Sequence, residues 1–413
     1  MATDSTSGSK PTHPTGRPSS STSELFGGLY ARGDVAAAVS DQAWVQAMLD
    51  VEAGLGGEPR RAEDIDIARL GRDAADHASP VVPLAKLFSE THRGATSQDI
   101  LDTAMMLVAK RALEPLARDA AAAADAAAAL ADAHRDTPIM GRTLLQDALP
   151  TSFGLKAAGW MAGIDEALHA VRAVPLAVQM GGPVGHRDPA VAAQVAELLG
   201  LQAPPLAWHT NRVRPAALAS ALGLLAGALS KPARDVTLLA DVREGVPGRG
   251  ESSAMAHKRN PVAAVSVLAC TKRVPGLVST MLACMEQELE RAAGAWQAEW
   301  GTMTDLLRLT GSAAAWARDM LEHLEVDSAA TKASDPNVAR RAAARRASAT
   351  RRVPPGHGSP LIGYVPGAVS LRLGGVGHSR PPGLATSEAG AWPGWEAVCG
   401  NPGRVGNPPD LGG

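Results

Sequence analysis

The 413-residue chain carries a formal net charge of −2, and 45% of its residues are hydrophobic while 20% are charged. A charge so close to zero gives no general electrostatic attraction, so neither nucleic acid nor a membrane is expected as a partner. No apolar run reaches the roughly 18 residues that a membrane span needs. The three cysteines are too widely spaced for a disulfide framework or a C-x-x-C metal motif, which favours the cytoplasm.

The ordered part of the chain is predicted to begin near residue 24. Residues 1–23 consist mainly of Ser, Thr, Pro and Gly, which predicts a disordered N-terminal arm. Residues 24–99 then predict an N-terminal helical domain. Within it, Ser40 and Asp41 are expected to cap an amphipathic helix.

Residues 100–327 predict a central domain built as a bundle of long helices. Apolar residues recur there at i, i+3, i+4 and i+7 spacing, and alanine, the best helix former, is abundant. The expected helices run over residues 100–134, 151–178, 215–242, 261–290 and 299–324. Helices of this length favour a bundle or an oligomer core, and no alternating strand pattern longer than a few residues is present. The expected fold class is therefore all-α.

The composition of the chain changes after residue 327. Arginines cluster between residues 340 and 352, and Gly and Pro dominate beyond residue 353 without any helical period. This composition predicts a disordered, Arg/Gly/Pro-rich tail over residues 328–413.

The first of three polar segments, residues 92–99, leads into the longest predicted helix. It combines His, Arg, Thr, Ser, Gln and Asp side chains. Backbone N–H groups at a helix N-terminus favour anions, so the segment predicts an anion-binding site. The alternative is simple capping, with Thr96 or Ser97 at the N-cap and Asp99 in the first turn.

The other two polar segments are residues 141–147 and 248–262. In the 248–262 loop, two serines, a lysine, an arginine and an asparagine lie between glycines and a proline, which favours a cationic loop that holds an anionic substrate. The alternative is a solvated loop in which Asn260 caps the next helix. The 141–147 segment is the weakest of the three, because a turn between two helices needs polar residues in any case.

The three segments together resemble the fumarase/aspartase superfamily. Residues 252–261, SSAMAHKRNP, are similar to its signature loop. Residues 94–99, GATSQD, and 141–146, GRTLLQ, are similar to its other two conserved regions and occur in the same order. The resemblance covers about residues 24–327.

The resemblance implies an all-α fold of three domains and a homotetramer in which three subunits share each active site. It implies no metal and no organic cofactor. Residues 328–413 do not resemble the superfamily's helical C-terminal domain, so that domain is expected to be absent or replaced by the irregular tail. The sequence also departs from the family pattern at Glu251, Ala256 and Leu289 and in placing Pro232 inside a helix.

The resemblance also assigns roles by position. Ser252 and His92 match positions that carry or surround the acid/base chemistry. Nine residues are expected to bind a small tricarboxylate substrate, and these are Thr96, Ser97, Gln98, Arg142, Thr143, Gln146, Lys258, Arg259 and Asn260.

Leu144 distinguishes between branches of the superfamily. The C–N lyases carry an acid/base His at this position and the cycloisomerases carry an apolar residue, so Leu144 favours a cycloisomerase that forms a lactone during protocatechuate breakdown. Two alternatives stay open. One is a lyase that releases fumarate from a succinyl adduct, and the other is an inactive helical oligomer with a damaged C-terminus.

Overall fold

Long helices dominate the chain between residues 24 and 327. A computed structural model describes these residues except 89–91, 93, 187, 240–241 and 256–257, and all of them belong to one compact unit. The predicted arm over 1–23 and the predicted tail over 328–413 lie outside the described residues, as does Ala256.

The helices are α1 Glu24–Tyr30, α2 Val35–Ala38, α3 Asp41–Gly54, α4 Ile67–Ala75, α5 Val81–Ala85, α6 Ser97–Ala133, α7 Phe153–Arg172, α8 Pro189–Leu199, α9 Val213–Leu238, α10 Val262–Ala283 and α11 Ala295–Glu322. The strands are β1 Pro138–Thr143, β2 Gln146–Ser152, β3 Val242–Glu244 and β4 Leu324–Val326. They form two antiparallel pairs, β1 with β2 and β3 with β4.

The core is a bundle of the five long helices α6, α7, α9, α10 and α11, which contact one another along their lengths. Helix α6 spans 37 residues, and its buried face changes from large side chains near its start to alanines towards its end. Alanine permits close helix approach, and Gly154 of α7 marks an extreme case because a Cβ there would lie 2.6 Å from the Ala131 carbonyl oxygen. The all-α prediction is confirmed.

Helices α9 and α10 are long and apolar enough to cross a membrane by length and composition alone. The sequence argument counted only uninterrupted apolar runs and did not identify them. Both helices pack within the bundle, where α9 buries residues such as Leu222 and Leu229. Helix α9 also runs unbroken through Pro232, whose ring is buried.

Two expected helix ends were wrong. The helix predicted to reach residue 178 ends at Arg172, because the chain becomes extended and Ala177 pairs with Gln202. The helix predicted to reach residue 290 ends at Ala283. Short extended segments that make one or two bridges leave no alternating pattern in the sequence.

The sequence pattern also did not identify the two strand pairs. Strands β1 and β2 form a hairpin whose register pairs Thr143 with Gln146 across a two-residue turn. Most of its residues are exposed, so neither face has the apolar alternation that identifies a strand. The turn residues Leu144 and Leu145 have φ values of 50° and 65°, which is the left-handed region of a type I′ turn.

Candidate active site

The segment before α6 is fixed by Asp99, which lies in the first turn of that helix and is fully buried. Its carboxylate accepts hydrogen bonds from the backbone N–H groups of Thr96 at 3.1 Å, Gly181 at 2.9 Å and Gly182 at 2.8 Å. The Gln179 amide donates a fourth bond at 3.1 Å. For Asp99 the capping interpretation is therefore the right one, because this carboxylate is used entirely within the chain.

A buried ionic network lies one turn further along α6. Arg212 is 1% exposed, and its guanidinium donates two bonds to Asp102, at 2.7 and 3.0 Å, and two to Glu299, at 3.0 and 2.5 Å. Trp296 also donates to Asp102, at 3.0 Å. The network ties α6 to the start of α9 and to α11.

One cation shared between two buried carboxylates leaves a net negative charge in this network. Burial raises the pKa of Glu299, and the neighbouring Asp102 charge raises it further, although the bonds from Arg212 act in the opposite direction. Burial lowers the pKa of Arg212, but the attraction of Asp102 and Glu299 outweighs this effect and raises it above its ordinary value. Arg212 therefore stays charged.

Gln98, a predicted substrate-binding residue, is fully buried and belongs to this network. Its amide nitrogen donates to Asp102 at 3.1 Å and to the His209 carbonyl at 2.9 Å. The amide nitrogen is therefore bonded within the chain, while the buried amide oxygen Oε1 makes no hydrogen bond with a described residue. His209 is likewise buried.

Thr96 and Ser97 lie at the surface end of the same segment. Thr96 is 9% exposed, and its hydroxyl oxygen accepts a short hydrogen bond from the guanidinium of Arg291. Arg291 also donates to the Pro183 carbonyl at 3.2 Å. A cation therefore stands directly beside Thr96, one of the two predicted hydroxyl ligands.

His92, a predicted catalytic residue, contacts a carboxylate from a different helix. Its Nδ1 lies 2.7 Å from Oε1 of Glu52, which is fully buried on α3. The imidazole itself is partly exposed.

The three binding residues predicted in the 141–147 segment occupy the β1–β2 hairpin and are exposed. Thr143 and Gln146 face each other at the end of the ladder, and Arg142 pairs with Asp147 at 3.1 Å. Leu144 between them is 96% exposed. The hairpin thus displays a cation, a hydroxyl, an amide and a large apolar tip.

The 248–262 loop is closed by its own backbone. The carbonyl oxygen of Gly250 accepts bonds from the Asn260 backbone at 2.8 Å and from its side-chain amide at 3.1 Å. A Cβ at Gly250 would lie 2.2 Å from the Asn260 carbonyl oxygen, so only glycine fits this closure. Asn260 therefore holds the loop together, and its side chain does not cap α10, as the alternative interpretation of the loop had it.

Helix α10 is capped by Glu244 of β3, which accepts from the N–H groups of Ala263 at 3.0 Å and Ala264 at 2.9 Å. Arg249 anchors the start of the loop by pairing with Asp319 at 2.6 Å and with Glu244 at 3.4 Å. These contacts fix both ends of the loop on the bundle.

The loop's candidate chemical groups face outward. The Ser252 hydroxyl accepts bonds from the N–H groups of Ala254 at 3.3 Å and Met255 at 3.2 Å, which forms a tight turn. Lys258 is exposed, and its ammonium makes no ion pair with any described residue. Arg259 pairs with Glu251 at 3.4 Å. Glu251 thus offsets one of the two adjacent cations, Lys258 and Arg259.

No hydrogen bond or ion pair between described residues joins the hairpin, the 248–262 loop and the 92–99 segment to one another. Among the described residues, the three parts of the candidate site are therefore not bonded to one another. Sequence reasoning missed Glu52, Arg212, Glu299 and Arg291. An acid in the otherwise apolar α3 pattern and arginines close to Trp208 and Trp296 were the available signals.

Comparisons with known proteins identify relatives along most of the chain. A family model described as lyase matches residues 83–276. A 3-carboxy-cis,cis-muconate cycloisomerase of Bradyrhizobium diazoefficiens is 39% identical over 355 residues, which are 75% of this chain and 79% of that protein. A nitrosuccinate lyase of Streptomyces davaonensis is also 39% identical, over 74% of this chain and 75% of that protein.

Solved structures give the same result for the fold. The crystal structure of the 3-carboxy-cis,cis-muconate lactonizing enzyme from Pseudomonas putida superimposes with a TM-score of 0.72 and 34% sequence identity. The match covers 79% of this chain and 84% of that one.

Proposed function

This chain belongs to the fumarase/aspartase superfamily, and on that premise we infer that it is a cycloisomerase that converts 3-carboxy-cis,cis-muconate to carboxymuconolactone. In this reaction one substrate carboxylate oxygen forms a C–O bond to the conjugated diene. The carbon alpha to another carboxylate then takes up a proton. Substrate and product are isomers, so no second reactant is needed.

The chemistry requires cations that hold a tricarboxylate and stabilise the enediolate formed between these two steps. Lys258 is suited to this task because it is exposed and makes no ion pair with another described side chain. Arg142 on the hairpin and Arg291 beside Thr96 supply further cations. Ser252 and His92 are the groups that we propose for moving the proton.

One observation carries the choice of reaction within the superfamily. The hairpin places Leu144 at its exposed tip, between Thr143 and Gln146. The superfamily's C–N lyases resemble this segment but have an acid/base His at that position. An alkyl side chain cannot protonate a leaving nitrogen, whereas it can pack against a substrate that forms a ring.

We also propose that the chain works as a cytoplasmic homotetramer in which three subunits complete each site. The lack of any hydrogen bond or ion pair between the three segments, among the described residues, supports this proposal. Large apolar side chains on the hairpin also remain exposed, with Leu144 at 96%, Leu145 at 73% and Leu149 at 65%. Exposed apolar groups of this kind are typical of a surface that another protein covers. The reaction would place the enzyme in the protocatechuate branch of aromatic breakdown.

The similarity to a nitrosuccinate lyase favours one competing function, a superfamily lyase that eliminates a group from a substituted succinate. A direct assay separates the two. Purified protein is given 3-carboxy-cis,cis-muconate, and the loss of diene absorbance and the formation of lactone are followed. In parallel, nitrosuccinate, adenylosuccinate and argininosuccinate are tested for fumarate release. Turnover of the diene alone supports the cycloisomerase, and fumarate release without diene loss would replace it with the lyase.

A further inference from the structure

We propose that Glu52 is the positioning residue for His92, holding the imidazole in one tautomer and one orientation for proton transfer. Oε1 of Glu52 lies 2.7 Å from Nδ1 of His92. Glu52 is fully buried, whereas the His92 side chain is 22% exposed. This inference rests on the proposed function, since it assigns a partner to a proposed acid/base group.

The contact fixes which nitrogen is available for chemistry. An ionised carboxylate can only accept hydrogen bonds, so Nδ1 of His92 carries the proton and Nε2 of the neutral ring holds the lone pair. Nε2 makes no hydrogen bond with a described residue and is not among the buried polar atoms that lack partners. It therefore faces accessible space, where a substrate proton can be taken up or delivered.

The backbone holds this pair in place from both sides. The N–H of His92 donates to the Phe88 carbonyl at 2.9 Å, and its carbonyl accepts from Ala95 at 2.9 Å. Gly57, just after α3, packs its Cα against the Glu52 carbonyl and the Phe88 ring, and a Cβ there would lie 2.8 Å from that carbonyl oxygen. The imidazole is thereby fixed four residues before Thr96, which Arg291 contacts.

A buried Glu52 lowers the stability of the protein more than a purely structural contact would require. Its second oxygen, Oε2, is buried and has no hydrogen-bond partner among the described residues. Burying a carboxylate that is only half satisfied costs stability, and an amide or an apolar side chain could join the same two elements at lower cost. A full negative charge behind His92 has a chemical use, because it stabilises the imidazolium that forms when Nε2 takes up a proton.

The test is a double-mutant cycle on kcat with Glu52→Gln, His92→Gln and the pair. Glu52→Gln keeps the shape and the buried position but removes the charge. We expect kcat to fall by about 10- to 1,000-fold in Glu52→Gln, with KM changed by less than about threefold. In the His92→Gln background, Glu52→Gln is expected to cause no further loss, because Glu52 acts only through the imidazole.

Asp50→Asn on the same helix is the matched control. Asp50 pairs with Arg111 and does not contact His92, so kcat is expected to stay at the wild-type level. Wild-type kcat in Glu52→Gln would overturn the proposal. Losses that multiply in the double variant would also overturn it, since Glu52 would then act independently of His92.

A measurement without substrate separates this proposal from the proposed function. In protein labelled with 15N at histidine, the Nδ1 proton bonded to a carboxylate resonates downfield of ordinary imidazole N–H protons. We expect a signal of this kind from His92, lost in both His92→Gln and Glu52→Gln and retained in Asp50→Asn. His323, whose Nδ1 lies 3.0 Å from Oδ1 of Asp319, serves as a reference that none of these changes removes. Presence of the His92 signal in a protein that does not turn over the diene would reject the proposed function alone. A His92 signal that persists in Glu52→Gln would reject the dyad.

Discussion

The start of α6 carries polar side chains similar to those of the β1–β2 hairpin and the 248–262 loop, but it buries them, whereas the hairpin and the loop expose them. At the start of α6, Asp99 and Gln98 are fully buried and bonded within the chain. On the hairpin and the 248–262 loop, Gln146 and Lys258 are exposed. The first region is therefore organised within one chain, whereas we propose that other copies of the chain complete the second.

The largest expected effect is a loss of catalytic activity when side chains of the 248–262 loop are removed. Ser252→Ala and Lys258→Ala are each expected to lower kcat by about 100- to 10,000-fold, because they remove a proton carrier and a cation that stabilises the enediolate. The diene-absorbance assay measures this directly.

Two controls separate chemistry from loop structure. Ser253→Ala removes the neighbouring hydroxyl and is expected to keep kcat within about threefold of wild type. Ser252→Asn can still accept the two backbone bonds that form the turn, but it has no hydroxyl to carry the proton. It is therefore expected to be as inactive as Ser252→Ala. Substantial activity in Ser252→Asn would show that Ser252 only shapes the loop.

The next effect is on the stability of the buried region. Arg212→Met leaves Asp102 and Glu299 buried without their cation, which is expected to cost about 3–5 kcal/mol of unfolding free energy. The exposed pair Arg243–Glu325 provides the control, since Arg243→Met is expected to cost less than about 1 kcal/mol. Chemical denaturation followed by circular dichroism measures both, and equal losses would contradict the contrast between the regions.

The pH dependence of this stability has a defined sign. Burial raises the pKa of Glu299. The protonated side chain therefore contributes to folding stability at low pH, and this contribution is lost as the pH rises through the raised pKa. Removing Arg212 takes away an interaction that lowers this pKa. The stability difference between wild type and Arg212→Met is therefore expected to be larger at neutral pH than in mild acid.

A smaller effect is expected at the hairpin tip. Leu144 and Leu145 occupy left-handed backbone positions that Asn and Gly adopt readily, so replacing the pair with Asn-Gly is expected to stabilise the isolated hairpin by roughly 1 kcal/mol. If another copy covers the tip, the same change weakens assembly. Light scattering is expected to show an oligomer that dissociates at higher protein concentration than wild type, and an unchanged oligomer would argue against a covered tip.

The smallest effect concerns Glu251. Its pair with Arg259 is exposed, and such pairs are worth about 0–1 kcal/mol. Glu251→Gly removes a negative charge that repels an anionic substrate from the loop, so KM is expected to fall by up to about fivefold while kcat changes little. A rise in KM would mean that the pair holds the loop in its binding shape.

The sequence predicted the fold class and the bundle because long, periodic helices leave a strong pattern. The sequence did not predict that the start of α6 is buried while the hairpin and the loop are exposed, because Gln98 and Gln146 are the same residue type in similarly polar segments. Gln98 is held in the core by hydrogen bonds to Asp102 and to the backbone of His209. Asp102 is an ordinary helix residue in the sequence, and His209 lies 111 positions away. The partners Glu52, Arg212 and Arg291 were missed for the same reason, since contacts across 40 to 195 positions carry no local spacing signal.

A mixing experiment tests most directly whether the outward-facing segments are completed by other copies of the chain. Lys258→Ala and Arg142→Ala homo-oligomers, each expected to be nearly inactive, are mixed in equal amounts, dissociated and reassembled. If the loop and the hairpin of one site come from different subunits, about a quarter of the sites receive both intact segments. The mixture is then expected to regain about a quarter of wild-type activity. A reassembled mixture that is no more active than the two separate variants would contradict the shared site.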